Sequence, residues 1–301
     1  MEVFVTGATG AIGGCAVPAL VAAGHQVTAL ARSDAKAHLL RGQGATPVSV
    51  SLFERRALAG AFDGHDAVVN LATALPPTAR FMFRSAWSEC HRIRTEGSAA
   101  VVDAALDAQV PRVVQESVAM IYRDAGDRWI AEGAPVDDYP IAAGNHAAEA
   151  SACRFDASGG ESVILRFGLF YGVGAAHSAQ ILALARRHIG FVAGRGDTYM
   201  SSIHLVDAAA AVVEALVCQA GTYNIVDDEP VTKRAHAASI AAATGVTPRL
   251  TGPGRAVLLL GDRATSLTRS LRVSNGRFKA ATPWRPRYPS VREGYRAMAS
   301  D

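Results

Sequence analysis

The residues with the clearest chemical potential are small and lie near the start of the chain. Thr6-Gly7-Ala8-Thr9-Gly10-Ala11-Ile12-Gly13 separates a short β-rich run from an alanine-rich helical segment. Glycines in such a turn let the backbone approach a pyrophosphate, and the helix N-terminus offers free N–H groups. The alternative is a tight turn that serves only helix packing. We predict a dinucleotide site formed by Gly7, Thr9, Gly10, Ala11, Ile12 and Gly13.

The residues that follow the second predicted strand, Gln26–Ala31, distinguish between two dinucleotides. A site for NAD places an acidic residue there, whereas the 2′-phosphate of NADP requires cationic groups. This sequence has Arg32 and Ser33 at that point, with Lys36 nearby. Their side chains offer charge-assisted hydrogen bonds to a phosphate. We therefore predict NADP(H), the alternative being that Arg32 only faces solvent.

The elements that must position these residues alternate along the chain. Further strand-like runs are separated mostly by alanine-rich helical segments, and they lie at 46–50, 67–71, 112–115, 162–166 and 222–226. Such alternation predicts the α/β class with a doubly wound parallel sheet, a Rossmann fold. After Phe167 the pattern changes to stretches rich in Gly and Arg. We predict an NADP-binding domain at 1–166, completed by 203–226, and a smaller C-terminal substrate-binding domain with a lid at 167–202 and 227–301.

Composition excludes several other classes of protein. With 50% hydrophobic and 19% charged residues, the 301-residue chain has enough apolar surface to fold. A net charge of +3 from 30 basic and 27 acidic residues is too small for a nucleic-acid surface. The four cysteines lie more than sixty residues apart, which fits neither a metal site nor a disulfide framework. Without a leader or an apolar run of about 18 residues, we expect a cytoplasmic protein that binds no membrane and no metal.

Five motifs together resemble those of the extended short-chain dehydrogenase/reductases, in that family's order. Besides the Thr6–Gly13 turn they are Val69-Asn70-Leu71-Ala72, Leu165-Arg166-Phe167-Gly168-Leu169-Phe170-Tyr171-Gly172, Ile203-His204-Leu205-Val206-Asp207 and Trp284-Arg285-Pro286. The resemblance runs nearly end to end. It implies nicotinamide chemistry at the junction of two domains and further cofactor contacts at Leu71, Ala72, Thr73, Gly168 and Leu169. It also implies a catalytic Ser or Thr, a Tyr acid, a Lys and often an Asn.

The sequence departs from that family at its catalytic residues. The three lysines are Lys36, Lys233 and Lys279, and none follows a tyrosine by four residues, so the Tyr-x-x-x-Lys motif is absent. Alignment places Ile141 at the tyrosine position and Asn145 at the lysine position. The hydroxyl residue falls on Val118 with Ser117 beside it, and the family's Asn is replaced by Arg94. The sequence is identified as an atypical member of the family.

The absence of the family's tyrosine acid restricts the reductions that the protein can catalyse but does not exclude hydride transfer. Hydride transfer depends on geometry, and a general acid contributes about 10²- to 10⁴-fold. We therefore predict an NADPH-dependent ketoreductase for a bulky aromatic polyketide, whose own phenol assists protonation. This type is similar to the atypical ketoreductases of antibiotic biosynthesis, such as angucyclinone ketoreductases of the simocyclinone type. Replacement donors are Ser117, Tyr122 and His204, each of which has a structural alternative. For His204 the alternative is a helix start with Asp207 as N-cap.

Two other functions remain open at this point. One is a catalytically silent NADP-binding sensor, which would explain the missing residues. The other is a sugar-nucleotide epimerase or dehydratase, with Arg186, Arg187 and Arg195 as phosphate contacts. In each case we expect a monomer or homodimer. We also predict an amphipathic helix between Pro76 and Trp87 and a lid helix at Ala256–Leu260 that border the substrate.

Overall fold

Short strands and helices alternate through the computed structural model, which describes residues 1–77 and 80–300. The strands are β1 (Glu2–Thr6), β2 (Gln26–Leu30), β3 (Thr46–Val48), β4 (Ala67–Asn70), β5 (Arg112–Val118), β6 (Trp129–Ile130), β7 (Glu161–Phe167), β8 (Leu169–Tyr171), β9 (Ile189–Ala193), β10 (Tyr199–Met200), β11 (Ser202–His204), β12 (Gly221–Ile225), β13 (Val231–Thr232), β14 (Leu250–Gly254) and β15 (Arg272–Val273). The helices are α1 (Gly13–Ala22), α2 (Asp34–Gly42), α3 (Arg55–Phe62), α4 (Ser88–Arg92), α5 (Ser98–Asp107), α6 (Ala143–Ala157), α7 (Ala176–Arg186), α8 (Leu205–Glu214), α9 (Lys233–Thr244), α10 (Thr265–Thr268), α11 (Gly276–Ala281) and α12 (Val291–Ser300). Across these described residues, no helix combines the length and the apolar character needed to cross a membrane.

Seven strands form one parallel sheet in the order β3-β2-β1-β4-β5-β7-β12. Strand β1 lies at the centre, where Val5 pairs with Ala29 on one side and with Val69 on the other. From β1 the chain adds β2 and β3 on one side of the sheet and then β4, β5, β7 and β12 on the other side. The connections after β1 and β4 therefore leave in opposite directions, which opens a crevice at the carboxyl ends of these two strands. The predicted α/β class and doubly wound parallel sheet are confirmed. All seven predicted strands belong to this sheet.

The two faces of the sheet bury different sets of helices. Val3 and Val5 point to a core shared with α1 and α8, whereas Phe4 between them points to a core shared with α3 and α5. This alternation follows from the period of two in a strand. Because both faces are covered, the central strands β1 and β4 are buried and mostly apolar. Polar groups are concentrated where the strands end.

The later part of the chain builds a third core outside the main sheet. Helices α7, α9 and α12 pack together around buried Leu182, Ile240 and Tyr295. Strand β14 pairs with β9, and β8 pairs with β11, both in parallel. The division into 1–166 with 203–226 and 167–202 with 227–301 stays a prediction.

Two predicted helices are wrong in the described residues. Between Pro76 and Trp87 the chain forms a turn followed by a single 3₁₀ turn at Arg84–Trp87, and residues 78 and 79 lie outside the described residues. Consecutive prolines at the start of this stretch disfavour an α-helix. The Ala256–Leu260 region belongs to a 3₁₀ segment, Arg255–Ala264, which is interrupted at Gly261 where φ is +54°.

Candidate active site

The glycine turn between β1 and α1 is shaped by close backbone contacts. A Cβ atom on Gly7, whose φ is +67°, would lie 2.3 Å from the Leu71 carbonyl oxygen, and one on Gly13 would lie 2.2 Å from the Gly7 carbonyl oxygen. Only glycine fits at either position. Helix α1 starts after Ile12 without a side-chain cap, which leaves first-turn N–H groups for an anion. The turn therefore fits a pyrophosphate, with Gly10 and Ala11 exposed and Thr9 half-buried along it.

The residues after β2 present positive charge to solvent. Arg32, Ser33 and Lys36 are all exposed, and no ion pair among the described residues involves Arg32. The Ser33 Oγ accepts a hydrogen bond from the Lys36 backbone N–H at 3.4 Å and caps α2. Its hydroxyl proton is still available to a phosphate oxygen. This arrangement fits the 2′-phosphate of NADP, and the two ligand assignments remain predictions.

A row of hydrogen-bonded, buried polar side chains joins the ends of β1 and β4 to the middle of β5. Thr6 donates to the Asn70 Oδ1 at 2.6 Å, and the Asn70 amide donates to the Gln115 Oε1 at 2.8 Å and to the Ser98 Oγ at 3.2 Å. The Ala72 N–H lies 3.4 Å from the Asn70 Oδ1. These bonds fix the backbone that leads from β4 into Leu71, Ala72 and Thr73, three of the predicted cofactor contacts.

The other two predicted cofactor contacts lie at the end of β7. The Gly168 N–H donates to the Ile225 carbonyl at 3.0 Å, and the Leu169 N–H donates to the Ser201 carbonyl at 2.9 Å. A Cβ atom on Gly168 would lie 2.8 Å from that same Ser201 oxygen. The structure therefore brings Gly168 and Leu169 to the same edge of the sheet as the glycine turn.

Arg94 and Glu116 form a buried ion pair that sequence reasoning missed. The Arg94 Nη2 donates to both Glu116 carboxylate oxygens, at 2.8 and 3.0 Å, and only 4% and 2% of the two residues is exposed. Burial raises the pKa of Glu116, and the guanidinium opposes that rise. An acidic residue inside a strand of a sheet covered on both faces was the available signal, because a buried carboxylate needs a cationic partner.

Asn145 lies next to this pair, at the start of α6. A Cβ atom on the preceding Gly144 would lie 3.2 Å from the Arg94 Cβ, so the arginine stem packs closely against α6. The Asn145 side-chain amide donates to the Ile141 carbonyl at 3.4 Å, while its buried Oδ1 has no hydrogen-bond partner among the described residues. A buried, unpartnered carbonyl oxygen at this position fits a ligand hydroxyl.

Ser117 and Tyr122, two of the predicted proton donors, belong to one buried network. The Ser117 hydroxyl donates to the Glu149 Oε1 at 2.6 Å. The Arg166 guanidinium binds both oxygens of the same carboxylate, at 2.8 and 2.7 Å. The Tyr122 hydroxyl donates to the Asn224 Oδ1 at 2.8 Å and accepts from the Arg166 Nη1 at 2.9 Å. Burial raises the pKa of Tyr122, against the opposing effect of Arg166.

His204, the third predicted donor, lies apart from that network. Its Nδ1 accepts from the Val206 N–H at 3.3 Å and caps α8, so the expectation that Asp207 is the N-cap is wrong. Asp207 instead accepts from the backbone N–H groups of Arg287 and Tyr288, at 2.8 and 3.0 Å. Burial lowers the pKa of His204 to about 4. The catalytic roles of Ser117, Tyr122 and His204 stay predictions.

Ile141, at the position of the absent tyrosine, borders a small cleft. The cleft is lined by Phe81, Met82, Trp87, Ile141, Arg84 and Arg263, among others. The first four side chains are half-buried and apolar, whereas the two arginines are exposed. The isoleucine side chain at this cleft has no proton to donate, unlike a tyrosine hydroxyl.

Comparison with known proteins agrees with this geometry. Residues 7–218 match a family described as NAD(P)H-binding. The chain is 33% identical, over 98% of its length and 99% of the relative's, to a 3-diazoavenalumate denitrifying reductase from a Streptomyces species. It is 28% identical, over 82% of its length and 74% of the relative's, to a 4-hydroxy-2-methyl-3-oxo-4-farnesyl-3,4-dihydroquinoline-1-oxide ketoreductase from Stigmatella aurantiaca.

A solved structure extends the comparison to the whole fold. The chain superimposes on a human epimerase family protein, determined with NADPH, with a TM-score of 0.84 and 23% identity. The match covers all of both chains. At this identity the likeness establishes the fold.

The buried Arg166–Glu149 pair gives a prediction about stability. Arg166→Met leaves the Glu149 carboxylate buried without its cation, so we expect a loss of about 3–5 kcal/mol in the free energy of unfolding. Arg292→Met, which breaks an exposed pair with Glu229, should cost no more than about 1 kcal/mol. Urea denaturation of both variants measures the difference. Equal losses of unfolding free energy in the two variants would contradict the assignment of Arg166–Glu149 as a buried ion pair that stabilises the fold.

His204 gives a prediction about pH. Its pKa is about 4 in the folded protein and about 6.5 when unfolded, so the unfolded state binds more protons between these values. The free energy of unfolding should therefore fall as the pH drops from 6.5 to 4, by up to about 3 kcal/mol from this residue. His204→Asn keeps a capping side chain and should remove the His204 share of this dependence, while His236, whose pKa burial also lowers to about 4, keeps its own. The exposed His38→Asn should leave it unchanged.

Arg32 gives a prediction about the cofactor. If its guanidinium contacts the 2′-phosphate, Arg32→Ala should weaken NADPH binding about 10- to 100-fold and leave NADH binding unchanged. Arg41→Ala is the matched control, because Arg41 is equally exposed and lies at the far end of α2, the helix that follows Arg32. Titration of each variant with both cofactors, followed by nicotinamide fluorescence, gives the dissociation constants. A parallel loss for NADPH and NADH would remove the phosphate assignment.

Proposed function

The chain belongs to the NAD(P)H-binding family of extended short-chain dehydrogenase/reductases, and from that premise we propose that it reduces a bulky aromatic natural product with NADPH without supplying the proton. The oxidoreductase class itself rests on the family and on relatives named as reductases. The proposal adds the substrate class, the preference for NADP(H) and a role in antibiotic tailoring. A cytoplasmic location is part of it.

The observation that carries the proposal is that Ile141, Ser117 and Tyr122 have no free hydroxyl proton to offer a substrate. Ile141 stands where a tyrosine would donate a proton, and it has no proton to exchange. Ser117 and Tyr122 donate their hydroxyl protons to Glu149 and Asn224 inside the protein. These three environments favour a reaction in which the substrate itself stabilises the negative charge that develops on its acceptor atom during hydride transfer.

The remaining residues bind and orient the cofactor. When bound, NAD(P)H supplies a hydride. The glycine turn and the α1 N-terminus hold the pyrophosphate, and Arg32 with Ser33 holds the 2′-phosphate. The Asn145 Oδ1 accepts a hydrogen bond from the nicotinamide end. The apolar side chains around Ile141 exclude water from the acceptor.

An aromatic ketone with its own donor satisfies these constraints. A phenol beside the carbonyl hydrogen-bonds to the developing alkoxide, and this internal bond replaces an acid worth about 10²- to 10⁴-fold. The ketoreductase relative acts, by its name, on a 3-oxo-3,4-dihydroquinoline-1-oxide that carries a hydroxyl at the neighbouring position 4. A ketone of an aromatic polyketide, as in the angucyclinones, is therefore our first candidate.

A diazo group is the second candidate, because its reduction consumes no proton. An aryl diazonium ion accepts hydride at its terminal nitrogen to give an aryldiazene, which loses N₂ and keeps the hydrogen on the ring carbon. One hydride enters and one N₂ leaves, so atoms and charge balance without an acid. The relative that aligns over nearly the whole chain is named as a denitrifying reductase of a diazo compound. An epimerase or dehydratase is disfavoured, since both need an acid/base pair.

The test is a turnover assay with both substrate types and NADPH deuterated at the transferred position. Phenolic aromatic ketones, their methyl ethers and ¹⁵N-labelled aryl diazo compounds form the panel. Deuterium at a new carbinol carbon, lost with the methyl ethers, would support the assisted ketone reduction. Release of ¹⁵N₂ in equal amount to the NADPH consumed would support the diazo reduction. Tight NADPH binding with neither product would favour the silent sensor.

Variants of the three predicted donors test the absence of a chain acid. We expect Ser117→Ala, Tyr122→Phe and His204→Asn to keep kcat within about tenfold of the parent, because removal of a true general acid costs about 10²-fold or more. Each variant is first checked for cofactor binding, which shows that it is folded. A drop of kcat beyond that range with cofactor affinity unchanged would identify the residue as the donor.

A further inference from the structure

A second cavity, of about 400 Å³, lies beside the loop that follows β5. Its lining comes from three stretches of the chain, at 124–127, 195–199 and 268–270, together with Leu258. None of the predicted cofactor contacts belongs to this lining. A cavity of this size holds a small organic molecule.

The two arginines of this cavity are already paired. Arg195 binds the Asp197 carboxylate through two hydrogen bonds, at 3.0 and 2.6 Å. Arg269 binds the Tyr122 carbonyl oxygen at 2.6 Å and the carboxylate of Asp137, which lies outside the lining. Because each guanidinium has a carboxylate partner, the cavity does not favour an anionic ligand.

The polar groups of the lining that keep capacity for a ligand are mainly hydrogen-bond acceptors. Asp127 is exposed, and no ion pair among the described residues involves it. Asp124 accepts from two backbone N–H groups, at 2.9 and 3.0 Å, and its carboxylate has further lone pairs. The hydroxyls of Thr198 and Thr268 donate to backbone carbonyls, at 2.7 and 3.1 Å, so their oxygens can still accept. A ligand that satisfies these groups must carry hydrogen-bond donors.

Leu258 gives the same cavity an apolar contact surface. It belongs to the lining and is 48% exposed, and the next residue, Leu259, is 89% exposed. The half-buried Tyr199 adds an aromatic ring to the lining. An aromatic ligand would remove Leu258 from water, whereas a sugar would place polar groups against it. The lining therefore favours an aromatic molecule with hydroxyl groups over a sugar.

The 3₁₀ segment after β14 borders both this cavity and the cleft at Ile141. Leu258 lines the cavity, and Asp262, four residues later, lines the cleft. Arg269 forms a second connection, because its guanidinium lies 4.6 Å from the centre of the Tyr139 ring, two residues before Ile141. A molecule in the cavity therefore lies next to the cleft that contains the tyrosine position.

We propose that this cavity binds the hydroxylated end of a neutral aromatic substrate. Its phenol groups donate to Asp127 and to the threonine oxygens, and its ring covers Leu258. The inference rests on the proposed function only for the statement that the bound molecule is the substrate. Recognition of a neutral phenol is a property of the cavity itself.

The test is calorimetric titration of the protein saturated with NADP⁺, using 2,7-dihydroxynaphthalene and 2,7-dimethoxynaphthalene. The two probes share a ring system, but only the diol carries hydrogen-bond donors. Neither contains a ketone, so binding is measured without turnover. We expect the diol to bind about tenfold tighter or more, because it donates to a carboxylate. Added salt should leave both affinities nearly unchanged, since both probes are neutral.

Two variants separate the polar contact from the apolar one. Asp127→Ala should remove most of the preference for the diol and leave dimethoxynaphthalene binding unchanged, with Asp63→Ala, at an exposed site after α3, as the charge-matched control. Leu258→Ser should weaken both probes alike, by about tenfold. Leu259→Ser is its control, because Leu259 is exposed and lies outside the lining.

Several results would overturn the proposal. They are equal affinities for the two probes, an equal effect of Asp127→Ala on both, no measurable binding of either, or binding of methyl β-glucoside in place of the diol. The proposed function fails separately. A preference for the diol with no reduction of any ketone or diazo compound would reject the reductase function and leave the phenol site standing. Reduction of a phenolic ketone without that preference would do the reverse.

Discussion

The arrangement of the candidate active site depends on one buried ion pair. Arg166, near the end of β7, binds the Glu149 carboxylate from α6 through two hydrogen bonds, and less than a tenth of either residue is exposed. Ser117 attaches β5 to the same carboxylate, and Tyr122 links the guanidinium to Asn224 on β12. Two buried charges are tolerated only when both are paired and their remaining groups are hydrogen-bonded. This network therefore fixes the ends of β5, β7 and β12 and the middle of α6 relative to one another.

The same network explains why the site lacks an acid. Ser117 and Tyr122 are the hydroxyl residues closest in sequence to the family's catalytic position, and both serve Glu149 and Arg166. The Ser117 proton goes to the Glu149 carboxylate and the Tyr122 proton to the Asn224 amide oxygen, and a buried hydroxyl is costly to redirect from such partners toward a substrate. With Ile141 in the tyrosine position, the structural network and the apolar cleft are complementary. Under the proposed function, the fold would keep the positioning network of a reductase site without a proton donor of its own.

Much of the fold was predictable from the sequence, while the side-chain pairing was not. Apolar runs and the glycine turn specify β1–α1–β2 and the sheet because those signals are local in the chain. The Arg166–Tyr122 and Tyr122–Asn224 bonds join residues 44 and 102 positions apart, for which no local pattern exists. His204 and Asp207 show the same limit. Either residue type suits the start of α8, and only the distant Arg287 and Tyr288 backbone decides that Asp207 binds elsewhere.

The loss of the family's lysine is accompanied by a change in where the cation lies. Asn145, which the sequence predicts at the lysine position, lies on α6, whereas Arg94, predicted at the family's asparagine position, brings a guanidinium against Glu116. An arginine stays protonated at any physiological pH, and here its charge is matched by a carboxylate 2.8 Å away. A tyrosine with a lysine neighbour, in contrast, titrates and so ties the reaction to pH. The exchange replaces a titrating pair with a permanent, internally neutral one, which suits hydride delivery to an acceptor that needs no proton from the chain.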